Sequence, residues 1–205
     1  MNSNAPICIV DDDDDVRNSL RVLLEAADFP VKDYPSADAF LSDDVFSASC
    51  LIADVCMPGM DGLALQHEVS RRRRDLPVVF LSGLGEVGAA VQAMKAGAVD
   101  FLEKPLDGDA FLACIRRALA RGAHDRTVIA QTKTARRLIA SLTPREADVM
   151  EKLVDGLSNK AVAQDLGISP RTVEVYRAQI MNKLKAGNLS DIVRIAIAAK
   201  AEIAL

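Results

Sequence analysis

Several residue types are scarce in this chain of 205 residues, and each scarcity excludes a class of protein. The 11 glycines and 8 prolines are too few for a collagen-like or low-complexity chain. No apolar run reaches the roughly 18 residues that a membrane-spanning helix needs. No basic segment precedes the first short apolar run, and acidic residues follow it, which argues against a signal peptide. The sequence therefore predicts a cytoplasmic protein with no membrane partner.

Cysteine and histidine are also rare, and their spacing argues against two kinds of site. The chain has four cysteines and two histidines, with no C-x-x-C pair. A zinc site or a disulfide framework needs closer groups of these residues. We therefore expect reduced, mostly buried thiols at Cys8, Cys50, Cys56 and Cys114.

Charge is distributed unevenly along the chain. Residues 1–120 carry 11 basic and 20 acidic side chains, residues 121–142 carry 5 and 1, and residues 143–205 carry 9 and 8. The net charges of these segments are therefore −9, +4 and +1. An acidic segment repels nucleic acid, whereas the last third of the chain can approach it. On charge alone, these basic residues are equally compatible with a solvated helical face.

Short apolar runs alternate with helical patterns over the first 120 residues. Between the runs, apolar residues recur at helical spacing, for example at Val16, Leu20 and Leu24. This order predicts a doubly wound α/β fold with five parallel strands and right-handed crossovers. In such a fold the ligand site lies beyond the carboxyl ends of the strands. The five predicted strands are residues 5–10, 31–34, 50–53, 77–81 and 99–102.

Residues with reactive or charged side chains follow four of these runs, at the edge of the sheet where the fold places a site. Asp11 and Asp12 follow the first run, Asp54 the third, Ser82 the fourth and Lys104 the fifth. Converging carboxylates repel one another, and Mg²⁺ held by oxygen ligands relieves that repulsion. A carboxylate beside a lysine, a hydroxyl and a metal ion is equipped for phosphoryl transfer to Asp54. Taken alone, the aspartate run is more typical of a solvated turn, but the agreement of four strand ends favours the site.

Four motifs in this region resemble those of the receiver domain of two-component response regulators. They are IVDDD, IADVCMPGMDG, VFLSG and DFLEKP, and the resemblance covers residues 5–122. It implies the flavodoxin-like form of the predicted fold, Mg²⁺ as cofactor and Asp54 as the phosphoacceptor. By position it further implies a metal-binding acid pair at Asp11 and Asp12, a metal-binding carbonyl at Cys56, a switch hydroxyl at Ser82, a phosphate-binding Lys104, a switch aromatic at Phe101 and a cis bond before Pro105.

The same resemblance bears on dimerisation and on the lifetime of the phosphoryl group. Receiver domains of this type pair through the fourth helix, fifth strand and fifth helix, which here involves Val91, Lys95 and Ala98. Cys56 and Leu84 flank the expected site, and neither side chain is a competent base toward a hydrolytic water. We therefore expect the phosphoryl group to persist for minutes to hours.

A basic segment joins the two halves of the chain. Residues 121–142 contain one glycine and no proline, whereas a flexible tether is rich in such residues. We predict a helical linker that extends the fifth helix, with a static spacer as the simpler alternative. The predicted division is a receiver over residues 1–122, a linker over 123–140 and an output domain over 141–205.

Capping signals divide the last part of the chain into four predicted helices, which form a small all-α domain. A helix, a short turn with glycine and a second capped helix make up the helix-turn-helix pattern. The same pattern occurs in bundles that never touch DNA. The predicted helix starts are Thr143-Pro144-Arg145-Glu146, Ser158, Ser169-Pro170 after the turn at Gly167, and Ser190.

Two segments, LTPREADVM and GLSNKAVAQDLGISPRTVEVYRAQIMNKL, resemble the LuxR/GerE-type DNA-binding domain, and the resemblance covers residues 138–202. It implies that a helix enters the major groove of double-stranded DNA. A glutamate there accepts hydrogen bonds from cytosine but repels phosphate, so the base preference stays open. By position, Glu174, Val175 and Ala178 face the groove, while Asn159, Lys160, Arg171, Thr172, Arg177 and Lys183 belong to the polar face toward the DNA backbone.

Together the two resemblances identify the chain as a response regulator of the NarL/FixJ family, most similar to its FixJ branch. They imply a sensor histidine kinase, promoter DNA and RNA polymerase as partners, a homodimer on phosphorylation, and activation of nitrogen-fixation-type genes. They imply no enzyme activity beyond the receiver's own phosphorylation and dephosphorylation. One alternative is a catalytic output domain, which the absence of His and Cys after residue 142 disfavours. The other is a helical bundle that binds a protein or RNA.

Overall fold

The structure is a computed structural model that describes residues 5–43, 47–83 and 87–201. It divides the chain into two compact units, Met1–Arg126 and Thr127–Ala204. The boundary falls inside residues 123–140, the segment assigned to the linker. Within the described ranges, no helix has both the length and the apolar character needed to cross a membrane.

A five-stranded parallel sheet with helices on both faces forms the first unit, as the alternation of runs predicts. Its elements are β1 (Ile7–Val10), α1 (Asp14–Glu25), β2 (Val31–Tyr34), α2 (Ala37–Ser42), β3 (Cys50–Asp54), α3 (Gly62–Arg72), β4 (Val78–Ser82), α4 (Val87–Lys95), β5 (Asp100–Glu103) and α5 (Gly108–Ile139). The strand order is β2-β1-β3-β4-β5, so the direction of winding reverses at β1. The carboxyl ends of β1 and β3 therefore flank the switch point of the sheet.

Both faces of the sheet are buried, which explains why its central strands are continuous apolar runs. All residues of β3 and β4 are buried, and the strands pair through Ile52↔Val79 and Ala53↔Phe80. Alternate residues face one core under α2, α3 and α4 and another under α1 and α5. β4 and β5 each end one residue later than predicted, because Ser82 still pairs with Glu103.

Tyr34 joins the edge strand β2 to the end of α2. Its ring meets Phe40 edge-on, with centroids 5.3 Å apart. Its hydroxyl donates to Asp43 Oδ2 at 2.8 Å, and Lys32 Nζ lies 3.2 Å from the same oxygen. Burial, followed by the bond to Asp43, raises the pKa of the Tyr34 phenol. The phenol is therefore neutral, and it donates, at physiological pH.

α5 is 32 residues long and runs without a break through the segment predicted as a helical linker. Near its start it packs on the sheet through Phe111, Ile115 and Ala118, which are fully buried. Within the second unit, Thr132 and Ala135 of the same helix are buried again. The predicted linker is thus helical through Ile139.

The second unit adds four capped helices to the end of α5. They are α6 (Pro144–Val154), α7 (Asn159–Leu166), α8 (Pro170–Leu184) and α9 (Leu189–Lys200). Thr143 and Glu146 form the predicted capping box, and Ser158 and Ser169 cap α7 and α8. α9 begins one residue before the predicted start, because Asn188 accepts from the Asp191 amide. These helices bury a core that includes Val149, Leu153, Val162, Val173, Ile180 and Ile192, with Tyr176 packed at its edge.

Arg136 of α5 stabilises the far end of α9. Its guanidinium donates to the carbonyls of Ala199 at 2.9 Å and Ala201 at 3.4 Å. The last carbonyls of a helix have no partner within the helix, and a cation there also complements the helix dipole. The end of α5 is therefore a structural part of the second unit.

Candidate functional site

Three charged side chains meet at the carboxyl edge of the sheet. Asp54 is the last residue of β3, Asp11 follows β1 and Lys104 follows β5. Lys104 Nζ donates to Asp54 Oδ1 at 2.6 Å and to Asp11 Oδ2 at 2.8 Å. Asp11 is 1% exposed and Asp54 is 7% exposed. The sheet thus brings together three residues that the sequence places at separate strand ends.

Burial and charge act in opposite directions on this group. Burial raises the pKa of the Asp54 carboxyl and Asp11 adds to the increase, while Lys104 and the Cys56 amide oppose it. The Cys56 N–H donates to Asp54 Oδ2 at 2.8 Å. Burial lowers the pKa of Lys104, but its bonds to both carboxylates outweigh that effect and raise it. When both carboxylates are ionised, their charge exceeds that of the lysine by one.

The five aspartates after β1 have different environments. Asp11 is buried at the site, whereas Asp12 is exposed. Asp13 caps α1 by accepting from two backbone amides of the first turn. Asp14 and Asp15 lie in that turn, where negative charge complements the helix dipole. The run is therefore both a helix start and a source of one buried carboxylate.

Arg17 is a positioning residue that the sequence analysis missed. Its Nη1 donates to the Asp11 carbonyl at 2.7 Å, and its guanidinium also pairs with Asp14 and, at 3.4 Å, with Asp33. Only 8% of the residue is exposed. Arg17 therefore holds the backbone at Asp11. The available signal was its place at helical spacing with the buried Leu20 of α1.

Gly62 allows α3 to begin directly against the backbone of Asp54. A Cβ atom at this position would lie 2.2 Å from the Asp54 carbonyl oxygen and 2.9 Å from a ring carbon of Phe80. The Gly62 amide also donates to the Val55 carbonyl at 3.0 Å. This close approach is visible only in the folded chain.

Ser82 and Phe101 lie on the two strands beyond β3. Ser82 ends β4, the neighbour of β3, and is 1% exposed. Phe101 of β5 is half-buried, with its ring centroid 6.4 Å from that of Phe80. The peptide bond between Lys104 and Pro105 is cis, as the resemblance implies.

The cysteines are mostly buried, as predicted. Cys8, Cys50 and Cys114 are buried thiols outside any disulfide, and burial raises the pKa of Cys8 to about 11 and of Cys114 to about 12. Cys56 is exposed, while its backbone amide contacts Asp54. Leu84, the other residue expected to flank the site, lies outside the described residues.

The oxygen atoms at this edge are of the type that binds a small divalent cation, although the described structure does not bring three ligand side chains together. Over the ranges that the structure describes, no three His, Cys, Asp or Glu side chains are grouped as metal ligands. Asp11 and Asp54 converge through Lys104, whereas Asp12 is not part of that group. Two buried carboxylates with one compensating ammonium leave excess negative charge, and carboxylate and carbonyl oxygens are the donors that Mg²⁺ prefers. The residues therefore fit Mg²⁺.

A second candidate site is the exposed side of α8, within the helix-turn-helix. Gly167 ends α7 in the left-handed conformation, with φ of 65°, and Ser169 then caps α8. Val175, an apolar residue of this side, is 52% exposed. Of the predicted DNA-contacting residues, Lys160, Arg171, Glu174, Val175 and Ala178 are exposed, and Asn159, Thr172, Arg177 and Lys183 are half-buried.

Lys183 has a partner inside the domain. Its Nζ donates to Glu146 Oε2 at 2.6 Å, and the same oxygen accepts from the backbone amide and hydroxyl of Thr143. The bond to Lys183, the first of several, lowers the pKa of the Glu146 carboxyl. The pair ties the last turn of α8 to the first turn of α6. Glu146 was expected only as a cap, and its link to Lys183 was not predicted.

The two units match two families of known proteins. The response regulator receiver domain matches residues 7–116, and the luxR family of bacterial regulatory proteins matches residues 140–196. A receiver domain followed by a helix-turn-helix defines the class of DNA-binding response regulators. The chain belongs to the response regulators that join a receiver domain to a LuxR-type DNA-binding domain, and it is a FixJ-like transcription regulator.

Individual relatives resemble the chain over nearly its whole length. It is 47% identical over 201 residues to the transcriptional regulatory protein FixJ of Azorhizobium caulinodans, covering 97% of this chain and 95% of that protein. It is 38% identical over 190 residues to the response regulator TmoT of Ectopseudomonas mendocina, covering 92% and 86%. Among solved structures, the response regulator StyR has a TM-score of 0.77 at 37% identity, covering 94% and 98%. Full-length FixJ from B. japonicum has a TM-score of 0.59 at 42% identity, covering 97% and 98%.

Proposed function

We propose that this protein is a phosphorylation-activated transcription regulator whose phosphoacceptor is Asp54 and whose donor is a sensor histidine kinase. The observation that carries the proposal is the environment of the Asp54 carboxylate. It is buried at the end of β3, with Oδ1 held by Lys104 at 2.6 Å and Oδ2 held by the Cys56 amide at 2.8 Å. A carboxylate oriented by two donors is positioned as a nucleophile.

The surrounding residues have distinct parts in phosphoryl transfer. An Asp54 oxygen attacks phosphorus, the new O–P bond forms, and the bond from phosphorus to the donor's leaving group breaks. The Lys104 ammonium stabilises the negative charge on the phosphoryl oxygens. Ser82, one strand away, donates its hydroxyl to a phosphoryl oxygen after transfer. Phe101 packs against the core under α4, and its ring responds when Ser82 moves toward the phosphoryl group.

Mg²⁺ is the proposed cofactor, held by Asp11, Asp12, Asp54 and the backbone carbonyl of Cys56. When bound, it neutralises charge on the phosphoryl oxygens. Asp11 is oriented toward this role by Arg17, which fixes its carbonyl. Its carboxylate also accepts from Lys104, so the ammonium sits between the proposed metal-binding acid and the nucleophile.

The proposed output is dimerisation and promoter binding. α4 exposes Val87, Val91 and Met94 at helical spacing, although they are apolar, which favours the α4 and β5 face as the dimer interface. Phosphorylation must then stabilise the pairing conformer relative to the resting one. Two paired helix-turn-helix units bind two DNA half-sites. The proposed partners are the kinase, double-stranded promoter DNA and RNA polymerase, and the protein catalyses only its own phosphorylation and dephosphorylation.

The proposed role is activation, and the proposed targets are nitrogen-fixation-type genes. The similarity to proteins named FixJ, which extends over nearly the whole chain, supports this choice. A relative with a different name, Nodulation protein W, is 36% identical over 193 residues. Proteins similar to this chain therefore include some that are not named FixJ. Sequencing the promoters that the purified protein retains from a fragmented genome tests the target class directly.

Asp54→Asn is the decisive test of the phosphoacceptor, because it keeps the shape of the side chain and removes the nucleophile. With acetyl phosphate and Mg²⁺, we expect the wild-type protein to gain the mass of one phosphoryl group and to bind promoter DNA more tightly. The variant gains neither, and a chelator suppresses both effects in the wild-type protein. Sedimentation velocity follows the dimer fraction in the same samples. A full-strength phosphoryl adduct on Asp54→Asn contradicts the assignment.

A further inference from the structure

The buried side chains of α5 become smaller along the helix as it leaves the sheet. Phe111, Ile115, Ala118 and Gly122 recur at helical spacing, and all four are buried. The side chain shrinks at each step, from a benzyl group to a hydrogen atom. Glycine in a helix interior destabilises the helix relative to alanine. Gly122 therefore needs a packing reason.

That reason is the turn that precedes β4. A Cβ atom at position 122 would lie 2.7 and 2.9 Å from Cδ and Cγ of Pro77, and 3.2 Å from the carbonyl oxygen of Asp75. A proline ring is fixed to its backbone and cannot swing aside as a flexible side chain can. α5 fits against this turn only with a hydrogen atom at position 122.

One turn further along α5, a charged pair extends the contact. Arg126 Nη1 lies 3.9 Å from Asp75 Oδ2. Asp75 is itself held at 2.8 Å by both Nε and Nη2 of Arg73, and Arg73 Nη2 also donates to the Ala48 carbonyl at 3.4 Å. The Arg73 guanidinium outweighs burial and lowers the pKa of Asp75, with a smaller contribution from Arg126. We call Asp75, Pro77, Gly122 and Arg126 the α5 seat.

The α5 seat lies at the opposite edge of the sheet from the candidate phosphorylation site. Pro77 immediately precedes β4, whereas Ser82 ends it. Asp54 likewise stands at the carboxyl end of β3. No residue of the seat contacts the phosphoacceptor group in the described structure. The seat can therefore be altered without changing the groups that perform phosphoryl transfer.

We propose that the α5 seat couples phosphorylation of the receiver to DNA binding, by holding the connecting helix where it leaves the first unit. The proposal rests on the proposed function and adds its route of regulation. Over the described residues, the chain passes from the first unit to the second through α5. A change within the receiver biases the rest of the chain only if α5 has a definite attachment to the receiver, because a detached helix has no preference between the two receiver states.

Gly122→Ala in the full-length protein tests the seat, with Gly108→Ala as the matched control. The same change at Gly108, in the same helix, brings a Cβ only to 3.6 Å from Leu23. Phosphorylation is measured by intact mass with acetyl phosphate, and DNA affinity is measured with and without the donor. We expect both variants to be phosphorylated like the wild-type protein. Gly108→Ala keeps the gain in affinity, of about 5- to 150-fold for typical coupling, whereas Gly122→Ala reduces it below about twofold.

A second-site change separates the seat from general damage to the fold. Pro77→Ala removes the ring atoms that the new methyl group meets, so Gly122→Ala combined with Pro77→Ala restores the phosphorylation-dependent gain. Arg126→Glu places a carboxylate against Asp75 and also reduces the gain, whereas Arg121→Glu on the same helix does not. Arg126→Glu decides the question if Gly122→Ala does not fold. An unchanged gain in Gly122→Ala and Arg126→Glu overturns the proposal, while absence of any gain in the wild-type protein overturns the proposed function itself.

Discussion

Two buried carboxylates share one ammonium group at the carboxyl edge of the sheet. Lys104 contacts Asp11 and Asp54 together, and the Cys56 amide adds a single further donor to Asp54. Placing ionised carboxylates in a buried site costs free energy unless each is fully compensated. Burial, with the charge of Asp11 added to it, outweighs the effect of Lys104 and the Cys56 amide and raises the pKa of Asp54. The excess negative charge therefore lowers the stability of the resting protein, and the proposed cation would relieve it.

Asp54→Asn should stabilise the receiver at neutral pH. The folded-state pKa of Asp54 lies above its unfolded value, so ionisation of Asp54 opposes folding, and that opposition is complete only above the folded pKa. We expect the melting temperature to rise by about 2–4 °C at pH 7, as about 1 kcal/mol gives in a protein of this size. The difference from wild type disappears as the pH falls below the unfolded pKa. A lower melting temperature for the variant at neutral pH contradicts this account.

Residues at strand ends could be predicted from sequence, whereas residues that support them could not. Asp11, Asp54 and Lys104 converge because parallel strands end at one edge, a rule that needs only the strand pattern. Arg17 and Gly62 act through contacts with the backbone of Asp11 and Asp54. Such contacts depend on how a helix packs against a strand, which periodicity does not reveal.

At the level of secondary-structure elements, the observed helix starts lie at or next to the predicted ones, because a cap is a local interaction. Ser158 and Ser169 each accept from an amide three residues later, as their positions predict. Asn188 was missed in favour of Ser190, although asparagine is an equally good cap. Strand limits shifted because the end of a strand is set by pairing with its neighbour. The link from Glu146 to Lys183 crosses 37 positions, so no local pattern indicates it.

Glu146→Gln should destabilise the second unit while keeping its cap. Glutamine still accepts from Thr143, but the ion pair with Lys183 is lost. The Glu146 pKa is lowered in the folded state, so its contribution is present above the unfolded pKa and is lost as the pH falls through the folded pKa. We expect a melting temperature a few degrees lower at pH 7 and no difference in strong acid.

The matched control for that change is Glu151→Gln on the same helix, where the side chain is exposed. It should leave the transition in place, because removing one exposed charge has little effect on stability. Equal effects of the two substitutions at pH 7 would show that Lys183 is not held by Glu146 in solution.

At the scale of the whole molecule, acidic and basic residues are concentrated in different parts of the chain. The first 120 residues carry a net charge of −9, and the basic excess lies in the residues that follow. Counterion release favours DNA contact by the basic part alone. An acidic receiver is compatible with a DNA-binding protein as long as the recognition surface belongs to the second unit, where α8 exposes Arg171 and Val175.

The salt dependence of DNA binding should show how many copies of the protein bind the DNA. Arg171→Ala removes one exposed cation from each copy, and each lost phosphate contact lowers the slope of log affinity against log salt by about 0.9. We expect the slope of the phosphorylated protein to fall by about 1.8, because two copies bind. Arg71→Ala, which removes an exposed cation on α3 away from the proposed dimer face, should leave the slope unchanged. A decrease of about 0.9 for Arg171→Ala would instead indicate a monomer on the DNA.

The two tyrosines give each unit an intrinsic reporter. Tyr34 donates to Asp43 at the edge of the sheet, and Tyr176 of α8 packs against the core of the second unit. Since the chain has no other tyrosine and no tryptophan, fluorotyrosine incorporation yields one ¹⁹F resonance from each unit. Phosphoryl transfer, DNA docking and thermal unfolding can then be followed in both units of the same molecule, without attaching a dye.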